Sequence, residues 1–333
     1  MKKYSVPILM IWLLLSMLAG CGKAPGASEE TAAEAKESGK PLHVVTTILP
    51  EYDWVLALTQ DVAPDALEVT LLVDDGVDLH SFQPAAKDIM DISTCDLFIY
   101  VGGESDGWVD DALKGAVNQD MVVISLLEVL GDQAKEEELK EGMDTRGEED
   151  EAEYDEHVWL SLRNTALFCE VITKALAQLD YDNAAIYEKN LSAYQEKLSA
   201  LDTSYEEAVS AANVKTLLFG DRFPFRYLID DYGLDYYAAF AGCSAETEAS
   251  FETVTFLARK VDELSLHSVM VIEGSDHRIA ETIIQNTKAK DQTILTLNSM
   301  QSVTAQDREA GVTYLGIMEE NLSVLREALR SVS

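Results

Sequence analysis

Five histidines are spread through this chain of 333 residues, and three of them, His80, His157 and His277, stand in loop-like sequence. Neutral imidazole is the commonest side-chain ligand for a transition metal, and nearby carboxylates complete such sites or orient the rings. His80 occurs in Asp74-Asp75-Gly76-Val77-Asp78-Leu79-His80-Ser81-Phe82-Gln83-Pro84. That stretch lies between the end of a β-rich run at Val73 and a helix start near Pro84, a favoured early helical residue. His157 occurs in Tyr154-Asp155-Glu156-His157-Val158-Trp159-Leu160, where a rigid apolar stretch follows an acidic one. His277 follows Glu273 and Asp276 in a third loop. His43 opens a β-rich run and His267 precedes another, so both read as surface or packing residues. Two loop histidines 77 residues apart are not a site until a fold brings them together.

The elements that must do so are legible. β-rich runs at 43–48, 69–73, 97–101 and 122–124 alternate with helical patterns at 54–58, 84–94 and 107–116. The alternation returns later, with strands at 216–219, 236–240, 269–272 and 293–297 and helices at 223–232, 249–263, 278–289 and 314–330. Strand–helix alternation argues for parallel β-α-β units. Between the halves, after a helix at 162–180, Leu191, Tyr194, Leu198, Leu201, Tyr205 and Ala208 recur at spacings of 3, 4, 3, 4 and 3. That is the stripe of one amphipathic helix over 184–212, roughly 40 Å long at helical rise. The expected fold is α/β: a first lobe at 42–183, the linking helix, and a second lobe at 213–333. No sequence repeat relates the halves. In each half the loops beyond the strand ends are where ligands bind in open α/β sheets.

Charge narrows the function. Lys and Arg number 25 against 60 Asp and Glu, a net charge of −35. Such a chain lacks the basic surface that nucleic acid requires, and it would not dock on an anionic membrane by charge. Twelve of the acids fall within 136–156, which reads as a solvated loop just before His157. At the N-terminus, Lys2 and Lys3 precede an apolar run at 6–18 that is short for a membrane span and reads as a secretory signal. It ends in Leu18-Ala19-Gly20-Cys21, which resembles a bacterial lipobox. The expectation is a signal peptide at 1–20, lipidation of Cys21 and a flexible tether at 21–41. The other cysteines, Cys95, Cys169 and Cys243, form no CxxC pair, and Cys95 and Cys169 have the apolar surroundings of buried thiols. H-E-x-x-H, G-x-S-x-G and P-loop motifs are absent from the sequence.

Gly76-Val77-Asp78-Leu79-His80-Ser81-Phe82-Gln83-Pro84 resembles the G-x-D-P-H-S-Y/F-x-P motif of the zinc/manganese solute-binding proteins of bacterial ABC importers, with Leu79 in place of Pro. Asp155-Glu156-His157-Val158-Trp159-Leu160-Ser161 resembles that family's D-P-H-V-W-L-D, and 240–250 its G-I-S-P-E-x-E-P-S segment. The likeness extends over about 42–333. It implies two α/β lobes on a helical backbone, in the manner of a periplasmic binding protein. It also implies an extracytoplasmic, lipid-anchored monomer that catalyses nothing and passes a metal ion to an ABC permease. The cargo would be zinc, with manganese the alternative. His80 and His157 would be two ligands. The family's third, a His or Glu three positions before the Phe of its F-x-Y, falls on Arg222, which cannot ligate. Either Asp221 reaches in or Arg222 pairs with a carboxylate. For the fourth, Glu273 is favoured over Asp276 and His277. Two other functions remain open: a secreted metallohydrolase using the same histidines, and a receptor of this fold for a metal chelate, with the Arg222–Arg226 region facing an anion.

Overall fold

The β-rich runs are dominated by Val, Ile, Leu and Phe, as strands covered on both faces require. In the computed structural model, residues 40–74, 76–144, 153–244 and 248–330 are described. Strands β1 (Leu42–Thr46), β2 (Leu67–Leu71), β3 (Leu97–Tyr100) and β4 (Val122–Ser125) form one sheet in the order β2-β1-β3-β4, all parallel. Strands β5 (Thr216–Phe223), β6 (Asp235–Ala241), β7 (Ser268–Ile272) and β8 (Thr293–Leu297) form another in the order β6-β5-β7-β8, again parallel. The two orders are the same, so the lobes share a topology that no sequence repeat discloses. In each sheet the order reverses beside the first strand, and the crevice beyond the carboxyl ends opens there.

β5 continues to Phe223, past the expected end at 219, with a register shift between Phe219 and Arg222. The next helix accordingly starts at Arg226 and not at 223. The irregularity carries Asp221 and Arg222 into the crevice.

The linking helix runs Ala184–Ser210 and buries Tyr187, Asn190, Tyr194, Leu198, Leu201, Tyr205 and Val209. It packs on helices Leu49–Leu58 and Leu162–Leu179 of the first lobe and on the closing helix Tyr314–Ala328. Asn190 Nδ2 donates to the Leu58 carbonyl (3.0 Å), and Tyr205 Oη donates to the Met318 carbonyl (2.6 Å). One apolar cluster runs from Val44 and Trp54 through Tyr205 to Leu322, so the lobes share a core across the helix. An element packed on both sides in this way favours small tilts over wide hinging.

The loop at 136–156 departs from expectation. Its ends are built into the body: Glu136 bridges Tyr154, Glu137 N–H donates to the Glu153 carbonyl, and Asp155 N–H donates to the Lys135 carbonyl. Met143, Asp144, Asp155 and Glu156 are buried. These carboxylates are held by specific donors, Asp144 by the Ser250 N–H (2.7 Å) and Asp155 and Glu156 as described below, which a charge count does not reveal. Residues 145–152 of this loop, the signal peptide, Cys21 and the tether up to residue 39 lie outside the described residues.

Tyr205→Ala should cost about 3–5 kcal/mol, the usual range for emptying a buried aromatic site. Because the core is shared, denaturant unfolding should shift as one transition. Two transitions, with one unmoved, would contradict a common core.

Candidate metal centre

Asp78 builds the His80 loop. Its Oδ1 accepts the His80 N–H (3.0 Å) and so caps a single 3-10 turn, Leu79–Ser81, with Leu79 buried beneath. Its Oδ2 accepts from Arg222 Nη2 of the other lobe (2.6 Å). The guanidinium is therefore paired with a carboxylate, one of the two alternatives open for Arg222. Burial raises the Asp78 carboxyl's pKa, but Arg222 and His80 outweigh it and hold the carboxyl below its usual range.

Both imidazoles are oriented from behind. His80 Nδ1 lies 2.7 Å from Ser105 Oγ and 3.5 Å from Glu156 Oε2. His157 Nδ1 lies 3.0 Å from Asp155 Oδ1, which also accepts the His157 backbone N–H at 2.9 Å. An Nδ1 facing a carboxylate acts as donor, so each Nε2 presents a lone pair forward. These two Nε2 atoms stand 3.1 Å apart, with His157 fully buried. Two lone pairs at that distance need a cation or a proton between them. Nitrogens bound to one tetrahedral ion at about 2.0–2.1 Å would be about 3.3 Å apart, close to the observed spacing.

The third converging group is Cys243, just past β6. Among the described residues, ligand atoms of His80, His157 and Cys243 lie within 4.8 Å of one another. Cys243 N–H donates to Glu137 Oε1 (2.8 Å), which fixes the turn. Burial first, then the charges of Glu137, Glu156 and Asp155, push the thiol well above its usual range, so a bound cation is what would draw off its proton. The adjoining Gly242 lets this turn approach: a Cβ there would stand 3.0 Å from His157 Cε1 and 2.9 Å from the Phe223 carbonyl oxygen.

Glu156 is buried, with Oε1 accepting the Ser105 N–H (2.9 Å). Burial pushes this carboxyl up, but bonds from His80 and Ser105 outweigh it and hold the group below the usual range. Gly103, at φ +85°, leaves room for Glu156; a Cβ there would come 2.7 Å from Glu156 Cγ.

The remaining candidates are near but otherwise engaged. Asp221, Glu273 and Asp276 line the same cleft as His80 and Cys243, a cavity of about 490 Å³. Asp221 Oδ1 accepts the Arg222 N–H (2.9 Å). Glu273 accepts from Ser299 N, Ser299 Oγ and Gln301 N at 2.6, 2.7 and 3.1 Å, so it anchors the loop after β8. Asp276 is exposed and pairs with Arg278. His277 has φ +64° at the start of helix Arg278–Asn286 and is half-buried. His43 and His267 bond Thr70 Oγ1 and the Glu327 carbonyl elsewhere.

The loop after β8 also touches both histidine segments: Trp159 Nε1 donates to the Ser299 carbonyl (2.8 Å), and Leu79 N–H donates to the Gln301 carbonyl (3.3 Å). Gln301 is 2% exposed, and neither side-chain polar atom has a hydrogen-bond partner. Natively orphaned polar groups are rare, and this one lies in the loop that braces His80. Ser105 and Gln301 stand in no motif, and Asp155, Glu156 and Cys243 fall within family-like segments without being read as site residues. The signal for Cys243 is its place just beyond a strand end, not a cysteine pair.

Gly242→Ala should destabilise the protein by about 1–3 kcal/mol, since the new methyl meets backbone and a buried ring. An unchanged denaturation midpoint would contradict this close approach.

Comparison with known families matches residues 44–328 to the one described as zinc-uptake complex component A, periplasmic (ZnuA). The zinc-binding lipoprotein AdcA of Streptococcus pneumoniae is 32% identical over 332 residues, covering 98% of this chain and 61% of that protein. The chain thus spans about three-fifths of that relative's length. The high-affinity zinc uptake system protein ZnuA of Bacillus subtilis is 29% identical over 328 residues, covering 98% of each. The crystal structure of the Zn(II)-bound ZnuA-like domain of Streptococcus pneumoniae AdcA superposes with a TM-score of 0.67 at 29% identity, covering 87% of this chain and 99% of that one.

Proposed function

The chain belongs to the family of periplasmic component A of zinc-uptake complexes, and from that premise we propose that it captures zinc outside the cytoplasm and delivers it to an ABC permease. The observation that carries this reading is the pair of Nε2 atoms 3.1 Å apart, with a thiol converging on them. Two imidazoles and a thiolate are a borderline-soft donor set that suits tetrahedral zinc, whereas manganese favours oxygen donors. Cys243 would take the place that Arg222 leaves vacant as a ligand. The fourth position faces the cleft, where Asp221, Glu273, Asp276 or a water would fill it; His277, farther along the same loop, is the alternative. Zinc is the cargo in this reading, so nothing is transformed and no general base is needed. Relatives named as lipoproteins support an extracytoplasmic location. Lipidation at Cys21, a monomeric state and the lobe boundaries at 42–183, 184–212 and 213–333 are parts of the same proposal.

Metal-stripped protein titrated against zinc and manganese in the presence of a competing chelator tests it. Asp155→Asn should weaken zinc binding about 10–100-fold by disorienting His157, and His80→Ala and His157→Ala should weaken it more. Cys243→Ser should narrow the preference for zinc over manganese. Unchanged affinity in both histidine variants would overturn the reading. Loss in Asp221→Asn or Glu273→Gln, with Cys243→Ser unaffected, would move the third ligand to a carboxylate.

A further inference from the structure

The cleft in front of the metal centre is larger than an ion needs. His80 and Cys243 open onto a cavity of about 490 Å³. A water in the fourth position would take about 30 Å³ of it. Sites for small molecules span about 300–1,000 Å³ and combine apolar walls with a few placed polar groups. Phe240, Ile272 and Ile279 supply apolar wall here. The acids that line the cavity are committed to other partners. Asp276 pairs with Arg278, and Glu273 accepts the Ser299 and Gln301 N–H groups. Asp221 accepts the Arg222 N–H and, at 3.5 Å, the Ile272 N–H, and Asp78 is taken by the Arg222 side chain. Arg222 differs from all of these. Among the described residues its guanidinium makes one hydrogen bond, from Nη2 to Asp78, so most of its N–H donors are unused. The side chain is 19% exposed and lines the cavity, which puts those donors within reach of a ligand there. A planar guanidinium fork matches a carboxylate.

We propose that the centre holds zinc together with one small amino-acid ligand, whose amine fills the fourth coordination position and whose carboxylate is gripped by Arg222. The converging group of His80, His157 and Cys243 leaves a tetrahedral ion one donor short. An amine supplies that donor once it has given its proton to solvent, as a metal-bound nitrogen must. The carboxylate of the same molecule then accepts from the N–H groups that Asp78 leaves free. Arg222 would thus hold Asp78 of the first lobe and the ligand at once, so the ligand would reinforce the contact that fixes the His80 turn. The apolar wall of Phe240, Ile272 and Ile279 leaves space for a short aliphatic side chain. The proposal rests on the zinc-capture reading and names the form in which the ion is held.

The test is equilibrium dialysis of the full chain, carrying one equivalent of zinc, against radiolabelled L-alanine. One alanine should be retained per zinc, and none on metal-free protein. L-alaninamide, which lacks the carboxylate, and acetate, which lacks the amine, should each be held about 10-fold more weakly. Arg222→Lys keeps a charge for Asp78 but loses the fork, and should erase most of the preference for alanine over alaninamide. Ile279→Trp fills the cavity from helix Arg278–Asn286. It should abolish alanine retention with the affinity for zinc alone unchanged. His80→Ala should lose zinc and alanine together. A wild type that binds zinc but retains no alanine, or that holds alanine no better than its two analogues, would overturn the proposal and leave the zinc reading standing. A wild type that binds no zinc would overturn that reading itself.

Discussion

Everything in this molecule depends on two imidazole nitrogens held 3.1 Å apart inside the protein. Left to themselves, lone pairs so placed repel, and desolvated rings cost free energy. The arrangement persists because each ring is gripped from behind. Asp155 takes both the ring and the backbone N–H of His157, and Ser105 and Glu156 take His80. Those grips leave the forward nitrogens facing each other, with the Cys243 thiol beside them. The buried carboxylates behind them supply compensating negative charge, so a cation in the gap completes a sequence of interactions already set on both sides.

Both histidines come from the first lobe, whereas Cys243 and Arg222 come from the second. The centre is therefore complete only when the lobes are in register. The shared core along the linking helix maintains that register at the back. At the front it is fixed by polar contacts across the cleft: Arg222 to Asp78, Arg308 to Asp74, and Trp159 to the Ser299 carbonyl. Arg222 is instructive. Standing where a ligand was expected, it instead grips the carboxylate that caps the His80 turn. It thereby links the position of His80 to the opposite lobe.

The large elements were legible because they follow from periodicity. Eight apolar runs became eight strands, and the stripe through Tyr194, Leu198, Leu201 and Tyr205 became the buried face of the long helix. His80 and His157 were legible because their loops sit between elements with clear ends. The rest was hidden for physical reasons. Cys243 is single, and a thiol becomes a ligand through its neighbours in space and not through spacing along the chain. Asp155 and Glu156 look like the tail of an acidic loop until the fold buries them against the rings. The extension of β5 through Arg222 depends on pairing with β6, which local propensity does not encode. Glu273, a favoured ligand from sequence, accepts three hydrogen bonds from the loop after β8, a long-range partner no local pattern announces.

The excess negative charge can be resolved in the same way. Part of it is solvation, and part orients the imidazoles. At the centre, two histidines and one cysteine are proposed to share a single ion. X-ray absorption at the zinc edge of the one-equivalent complex measures this directly. A nitrogen or oxygen shell at about 2.0–2.1 Å together with one sulfur at about 2.3 Å is the predicted result. A shell of nitrogen and oxygen alone would contradict it.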